Sequence, residues 1–239
     1  MRPDGRKANE LRPVQIETGY LKTAEGSALI TMGNTQVLCA ASVESFTPPF
    51  LRNTGKGWVT AEYSMLPRAT STRTVREVSK GRPSGRTHEI QRLIGRSLRA
   101  ITDMQVLGER SIIIDCDVIQ ADGGTRVASI TGAYVALALA VKQMVSYKMI
   151  SKSPLTGAVA AISVGMLRGE ALLDLCYEED SRAEVDANIV MTDGGRFVEF
   201  QATAENKSFD DEQMIMMTAL AKDGIKDLIA LQKSVIESS

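Results

Sequence analysis

The sequence predicts a mixed α+β fold in which two similar β-rich halves, each supplied with a helix, pack as one unit. Two observations point there. Strand-like runs recur in a similar order early and late in the chain, and each set is followed by a segment with helical spacing. The closest internal likeness lies between two hairpins. Ala28-Leu29-Ile30-Thr31-Met32 turns through Gly33-Asn34, and Asn188-Ile189-Val190-Met191-Thr192 turns through Asp193-Gly194-Gly195. Both read as antiparallel strands joined by short Gly-containing turns.

In chain order, strands are expected over residues 13–18, 27–32 and 36–43, and in the second half over 159–166, 171–177, 185–191 and 196–203. A helix is expected over 87–107, where Ile90, Leu93, Ile94, Leu98, Ile101 and Met104 follow the i, i+3, i+4 rule of a buried face. Arg92, Arg96 and Arg99 share another face of it. A second helix is expected over 209–236, with Ser208 as N-cap and Asp210, Asp211 and Glu212 at the positive end of its dipole. Between them, 111–119 reads as a strand and 127–145 as a nearly all-apolar, hence central, helix. No linker-like stretch divides the chain. Residues 1–239 are therefore expected to form one domain of two halves, joined near 148–154.

The chain has 239 residues, 44% hydrophobic and 24% charged, with a formal net charge of −1. Those values are ordinary for a globular chain and exclude disordered and fibrous classes. At this length folding buries on the order of 70% of the unfolded surface, so no staples are needed. Cys39, Cys116 and Cys176 form no C-x-x-C pair and read as reduced, buried thiols. The longest apolar stretch, 133–141, falls far below the roughly 20 residues of a membrane span. No apolar run follows the opening charges, so the cytoplasm is the expected location. A single histidine, His88, excludes H-E-x-x-H and paired-histidine chemistry.

Charge is balanced in total but not along the chain. Residues 68–99 carry eight arginines and Lys80, opposed only by Glu77 and Glu89. Residues 170–212 carry thirteen acidic residues against Arg182, Arg196 and Lys207. One reading is a polyanion handled by the first segment and cations held by the second; the other is that the two neutralise each other across an interface.

Two short segments bear local chemistry. In Gln120-Ala121-Asp122-Gly123-Gly124-Thr125-Arg126, two glycines allow a sharp turn, and helix-start N–H groups, a hydroxyl and a guanidinium make an anion site. Arg126 can fork two donors onto a phosphate. The same residues also suit a helix-capping turn with a surface arginine. In residues 177–186, Asp180 and Asp186 can converge on Mg²⁺, which takes few carboxylates and completes its shell with water or substrate oxygens. The spacing alone is weak, and a solvated acidic hairpin loop is the more common reading there. Neither a Walker loop nor G-x-G-x-x-G occurs, so ATP hydrolysis and dinucleotide binding lose their usual supports.

Longer motifs resemble a known family. Lys80-Gly81-Arg82-Pro83-Ser84-Gly85-Arg86-Thr87, Glu89-Ile90-Gln91-Arg92-Leu93-Ile94-Gly95-Arg96 and Asp115-Cys116-Asp117-Val118-Ile119-Gln120 running into the Gly-Gly-Thr-Arg loop are similar to the ribonuclease PH family. So are Arg2-Pro3-Asp4-Gly5-Arg6, the block from Gly57-Trp58 to Arg68, and Glu179-Asp180-Ser181 through Asp186. The likeness spans nearly all of the chain. It implies a ribonuclease PH-type domain and a phosphorolytic 3′→5′ exoribonuclease that trims transfer-RNA precursors and other RNA 3′ ends. Inorganic phosphate attacks the last phosphodiester, a nucleoside diphosphate leaves, and the reverse reaction adds nucleotides. By the resemblance, Arg86, Gly124, Thr125 and Arg126 hold phosphate, and Asp180 and Asp186 hold Mg²⁺ or act as the acid partner.

The basic stretch Arg68, Arg73, Arg76, Lys80 and Arg82 then reads as an RNA path on a loop, extended by Arg92, Arg96 and Arg99. The family also implies a homo-hexamer, a trimer of dimers, so some of these arginines are candidates for subunit interfaces. Two alternatives stay open: a metal-dependent hydrolytic nuclease using the same acid pair, and a catalytically silent RNA-binding ring subunit.

Overall fold

The computed structural model describes residues 2–205 and 208–239. Its first half begins with β1 (Val14–Thr18), β2 (Gly26–Met32), β3 (Thr35–Glu44) and β4 (Trp58–Met65). Then follow α1 (Gly85–Arg99), α2 (Met104–Leu107), β5 (Ser111–Gln120) and the long α3 (Thr125–Ser146). The second half has β6 (Val159–Leu167), β7 (Glu170–Leu173), α4 (Tyr177–Asp180), β8 (Val185–Thr192), β9 (Phe197–Ala204) and α5 (Asp211–Glu237). The first sheet has the order β1-β2-β3-β5-β4 and the second β7-β6-β8-β9.

The two hairpins singled out in the sequence are β2–β3 and β8–β9, both antiparallel. Val37, Cys39 and Ala41 point one way from β3 into the core, which is what period-two alternation requires. The face they form is covered by α3, which also packs on β6, so this helix lies between the two sheets. Its composition follows from that position: sixteen of its residues are buried, and exposed polar side chains are confined to its last two turns. By length and hydropathy α3 could cross a membrane, yet most of it is enclosed by protein. Contact with β2 is close at Gly26, where a Cβ would stand 2.1 Å from the Ala136 carbonyl oxygen. One contiguous core runs from Ile16 through Ile229 and takes in both halves.

Four details differ from the sequence expectation. The helix expected over 87–107 ends at Arg99. There the chain leaves α1 because the Asp103 N–H donates to Pro154 O (2.7 Å), while the Asp103 carboxylate accepts from the Gln105 and Val106 N–H groups and caps the separate α2. The strand expected over 171–177 stops at Leu173. Asp174 takes the left-handed backbone (φ 54°), its carboxylate is bound by Arg12, and Tyr177 opens α4. The cap of α5 is Asp210 rather than Ser208: its carboxylate accepts from Gln213 N–H, and the Gln213 side chain accepts from Asp210 N–H. Finally β4 was not among the expected strands. It lies parallel beside β5, which makes the first sheet mixed.

The three cysteines are buried and free, and Cys39 faces Cys116 across β3 and β5. The N-terminal segment straps the second half through ion pairs. Arg2 donates twice to Glu179 (2.7 and 2.8 Å), and Arg12 binds both carboxylate oxygens of Asp174 (2.9 and 2.6 Å). All four of these side chains are buried. Burial alone would push the Glu179 carboxyl up, but the Arg2 hydrogen bonds and the Cys176 N–H bring it below its ordinary value.

Candidate active site

At the end of β5 the chain enters a turn with two successive left-handed residues, Gly123 (φ 75°) and Gly124 (φ 66°), and then starts α3. Glycine is needed at Gly123 for a second reason: a Cβ there would lie 2.7 Å from the Leu175 carbonyl oxygen. No side chain caps α3, whose N-cap is Gly124, so the first-turn N–H groups of a 22-residue helix face outward at its positive end. The turn is held from several sides. Arg12 Nη1 donates to Asp122 O (2.5 Å), and the Thr35 hydroxyl donates to Gly123 O (2.7 Å) while accepting from Asp122 N–H (2.9 Å).

Thr125, the first residue of α3, shares a hydrogen bond with the Tyr63 hydroxyl of β4 (2.9 Å). Burial pushes the Tyr63 phenol up, against that hydrogen bond and the nearby Arg86 and Arg126 charges. Arg126 is held by one nitrogen, Nη1, which donates to Gln201 Oε1 on β9 (2.7 Å) and Glu89 Oε1 on α1 (3.0 Å). Arg86 lies in the first turn of α1, whose cap Ser84 accepts from Thr87 N–H. It is exposed and makes no ion pair among the described residues.

The acidic side of the site comes from the second half. Asp180 ends α4, and Asp186 is the second residue of β8. Both carboxyls are raised above the ordinary value, first by burial. Asp186 adds to the rise at Asp180 and Glu205 to both, while Arg126, and at Asp180 also Arg86, pull the other way. Arg86, Arg126, Asp180 and Asp186 all line a single space. That space is a cleft of about 420 Å³ whose lining includes Arg86, Gly124, Thr125, Arg126, Asp180 and Asp186. All six expected phosphate and acid residues therefore meet in it. Among the described residues no group of three or more His, Cys, Asp or Glu side chains is arranged to hold a metal alone.

The basic residues separate into groups. Arg68, Arg73, Arg76, Lys80 and Arg82 are exposed on the long connection between β4 and α1, a loop apart from a 3-10 turn over Glu77–Lys80. Arg92 is exposed on α1. Arg96 is ion-paired with Glu199 of β9. Arg99 lies 4.4 Å over the Trp58 ring and donates to Val59 O (2.8 Å), so its guanidinium is used within the fold.

Sequence reading missed Tyr63, Gln201, Glu89 and Glu205, and with them Ser163 and Asn188, which line the cleft. For Tyr63 a signal exists. The alternation of Trp58-Val59-Thr60-Ala61-Glu62-Tyr63 marks a half-buried strand that turns Val59, Ala61 and Tyr63 inward. Nothing local marks the others.

Residues 10–143 match the family model described as 3′ exoribonuclease family, domain 1, and residues 157–224 match domain 2 of the same family. A ribonuclease PH from Solibacter usitatus is 67% identical over 237 residues, covering 99% of this chain and 100% of that one. Ribonuclease PH from Bacillus subtilis is 58% identical over 240 residues, covering 100% and 98%. Among solved structures, an Archaeoglobus fulgidus exosome with RNA bound to the active site superposes with a TM-score of 0.81 at 21% identity, over 95% of this chain and 91% of that one. An archaeal exosome core gives 0.79 at 20%, over 97% and 91%. At that identity the two structures speak to the fold.

Proposed function

This chain belongs to the 3′ exoribonuclease family, and we propose that it trims the 3′ ends of transfer-RNA precursors by phosphorolysis, with the six cleft residues as its machinery. The observation that carries the assignment is their convergence. Arg86 and the Gly124-Thr125-Arg126 turn come from the first half, Asp180 and Asp186 from the second, and they share one cleft.

Orthophosphate is already anionic and nucleophilic near neutral pH. The work of the site is to bring it against a second anion, the terminal phosphodiester, and to stabilise the charge of the transition state. Arg86, Arg126 and the open N–H groups of α3 hold the phosphate. Glu89 and Gln201 occupy one nitrogen of Arg126 and so orient its remaining donors. A phosphate oxygen forms a bond to the terminal phosphorus, and the bond from that phosphorus to the preceding ribose O3′ breaks. The products are a nucleoside diphosphate and an RNA shortened by one nucleotide. The leaving O3′ takes a proton, and a carboxylic acid at Asp180 or Asp186 that is not serving as a metal ligand is suited to give it by its raised proton affinity. In reverse, the same residues bind a diphosphate and extend the RNA.

The donor set fits Mg²⁺: two hard carboxylates that repel each other, too few to cage a metal, leave places for water and phosphate oxygens. Asp180 and Asp186, in their ionised form, would hold the ion, and it would supply positive charge that offsets the repulsion of the anions being joined. RNA follows Arg68, Arg73, Arg76, Lys80 and Arg82 toward the cleft, with Arg92 and Arg96 beside it and Arg99 shaping the same face from within. Exposed Phe197, Phe200, Met214 and Ile215 form an apolar surface that supports a subunit contact, consistent with a homo-hexamer built as a trimer of dimers in the cytoplasm.

The test is to incubate the protein with a 3′-tailed RNA, with and without phosphate, and resolve the nucleotides. Diphosphates formed only with phosphate are expected. Monophosphates formed without it would establish a hydrolytic nuclease instead. RNA binding with no product in either case would mark a silent ring subunit.

A further inference from the structure

Asp122 is an odd residue to find in an anion-binding turn. A carboxylate beside a bound phosphate opposes it by like-charge repulsion. The side chain resolves this by pointing elsewhere: Ala121, Gly123 and Gly124 line the cleft, and Asp122 does not. Its Oδ1 accepts the backbone N–H of Tyr177, the first residue of α4 (3.2 Å). Its Oδ2 accepts from the Asn34 side chain at the β2–β3 turn (3.1 Å). Its carbonyl is held by Arg12, which is itself clamped on Asp174, three residues before α4. Next to it, bare Gly123 abuts the backbone of Leu175, Cys176 and Tyr177.

We propose that Asp122 is a positioning residue that ties the phosphate-holding turn of the first half to α4 of the second, and so sets where Asp180 stands relative to bound phosphate. The proposal rests on the phosphorolytic reading of the cleft. The helix α4 has four residues and one turn, too short to hold its own orientation. Its far side is fixed by the Arg2–Glu179 pair. Its near side is fixed by Asp122, and Asp180 lies one turn on. Length and acceptor position carry this role, whereas charge does not.

The decisive comparison is therefore Asp122→Asn against Asp122→Glu. Asparagine keeps an acceptor at the same reach, and a turned Asn34 amide can meet its other end. Glutamate keeps the charge and adds a methylene, which pushes α4 away from the turn. With saturating tailed RNA and varied phosphate, D122N is expected within about 5-fold of wild-type kcat. D122E is expected to lose on the order of 10²-fold in kcat, the cost of about 1 Å of misplacement. Its KM for phosphate should change less than about 3-fold, because Arg12 and Thr35 still hold the turn through its main chain. Hydrogen exchange at residues 177–180 should speed up in D122E and stay near wild type in D122N, a readout independent of any reaction. Wild-type kcat in D122E, equal loss in both variants, or a KM increase that accounts for the whole defect would each overturn the proposal. If the wild-type protein makes no diphosphate, the phosphorolytic reading fails on its own, and the exchange result still judges the tie between the turn and α4.

Discussion

Arg126, the second residue of α3, ties that helix to α1 and β9 through one nitrogen. Arg126→Ala should lower phosphorolysis by at least about 10²-fold, the usual scale for losing a preorganised donor, and leave RNA affinity within about 3-fold because most phosphate contacts lie elsewhere. Product formation and a filter-binding isotherm measure the two. Asp180 makes a prediction of opposite sign for stability. Burial and then Asp186 raise its carboxyl, so the folded state holds that proton more tightly than the unfolded chain. Below the ordinary carboxylate range both states are protonated and nothing is lost. As pH rises through and past the raised value, the ionised group destabilises the fold. Asp180→Asn should therefore abolish turnover yet raise the neutral-pH melting temperature by about 2 °C, a gain that fades in acid.

At the scale of elements, the turn before α3 and the start of α4 are built against each other with no room between them. Gly123→Ala imposes a left-handed backbone on an L side chain, about 1–2 kcal/mol by itself, and drives a methyl into Leu175 O. Denaturant unfolding should show a loss larger than the backbone figure alone, with activity gone. How readable these elements were depends on their length. The central helix α3 and both hairpins were legible because each repeats its own period over many residues. The four-residue α4 was not, since it exists by virtue of Asp122, the Cys176–Glu179 capping box and Arg2. The end of α1 was misplaced for a similar reason: apolar spacing continues to Met104, but Pro154, distant in sequence, takes the Asp103 N–H.

For the whole molecule, the N-terminal strap and the basic loop matter most. Arg2→Ala removes the bidentate partner of buried Glu179 and leaves it only the longer pair to Arg6 (3.6 Å), a loss of about 3 kcal/mol. Glu179 is held below its ordinary value, so the pair's contribution is complete above the carboxylate range and vanishes as pH falls through that lowered value. Melting curves of wild type and Arg2→Ala should converge in acid. Reversing charge on the exposed loop with Arg73→Glu and Arg76→Glu should weaken RNA binding regardless of sequence. The slope of log affinity against log salt should drop by about one for each phosphate contact removed.

The chain by itself determined the long strands and helices, where charge of each sign is concentrated, and which two short segments are candidates for phosphate and acid chemistry. Those properties are written in neighbouring residues and survive in any local reading. The tertiary structure alone decided that Arg126 leans on Glu89 and Gln201, that Glu205 joins the acid pair, and that Arg99 is spent on Trp58 while Arg68, Arg73 and Arg76 stay exposed. Such partnerships link distant positions: Gln201 and Glu89 are 112 residues apart, and Arg2 and Glu179 are 177 apart. They depend on how two sheets close over one helix, and no periodicity along the chain encodes that distance.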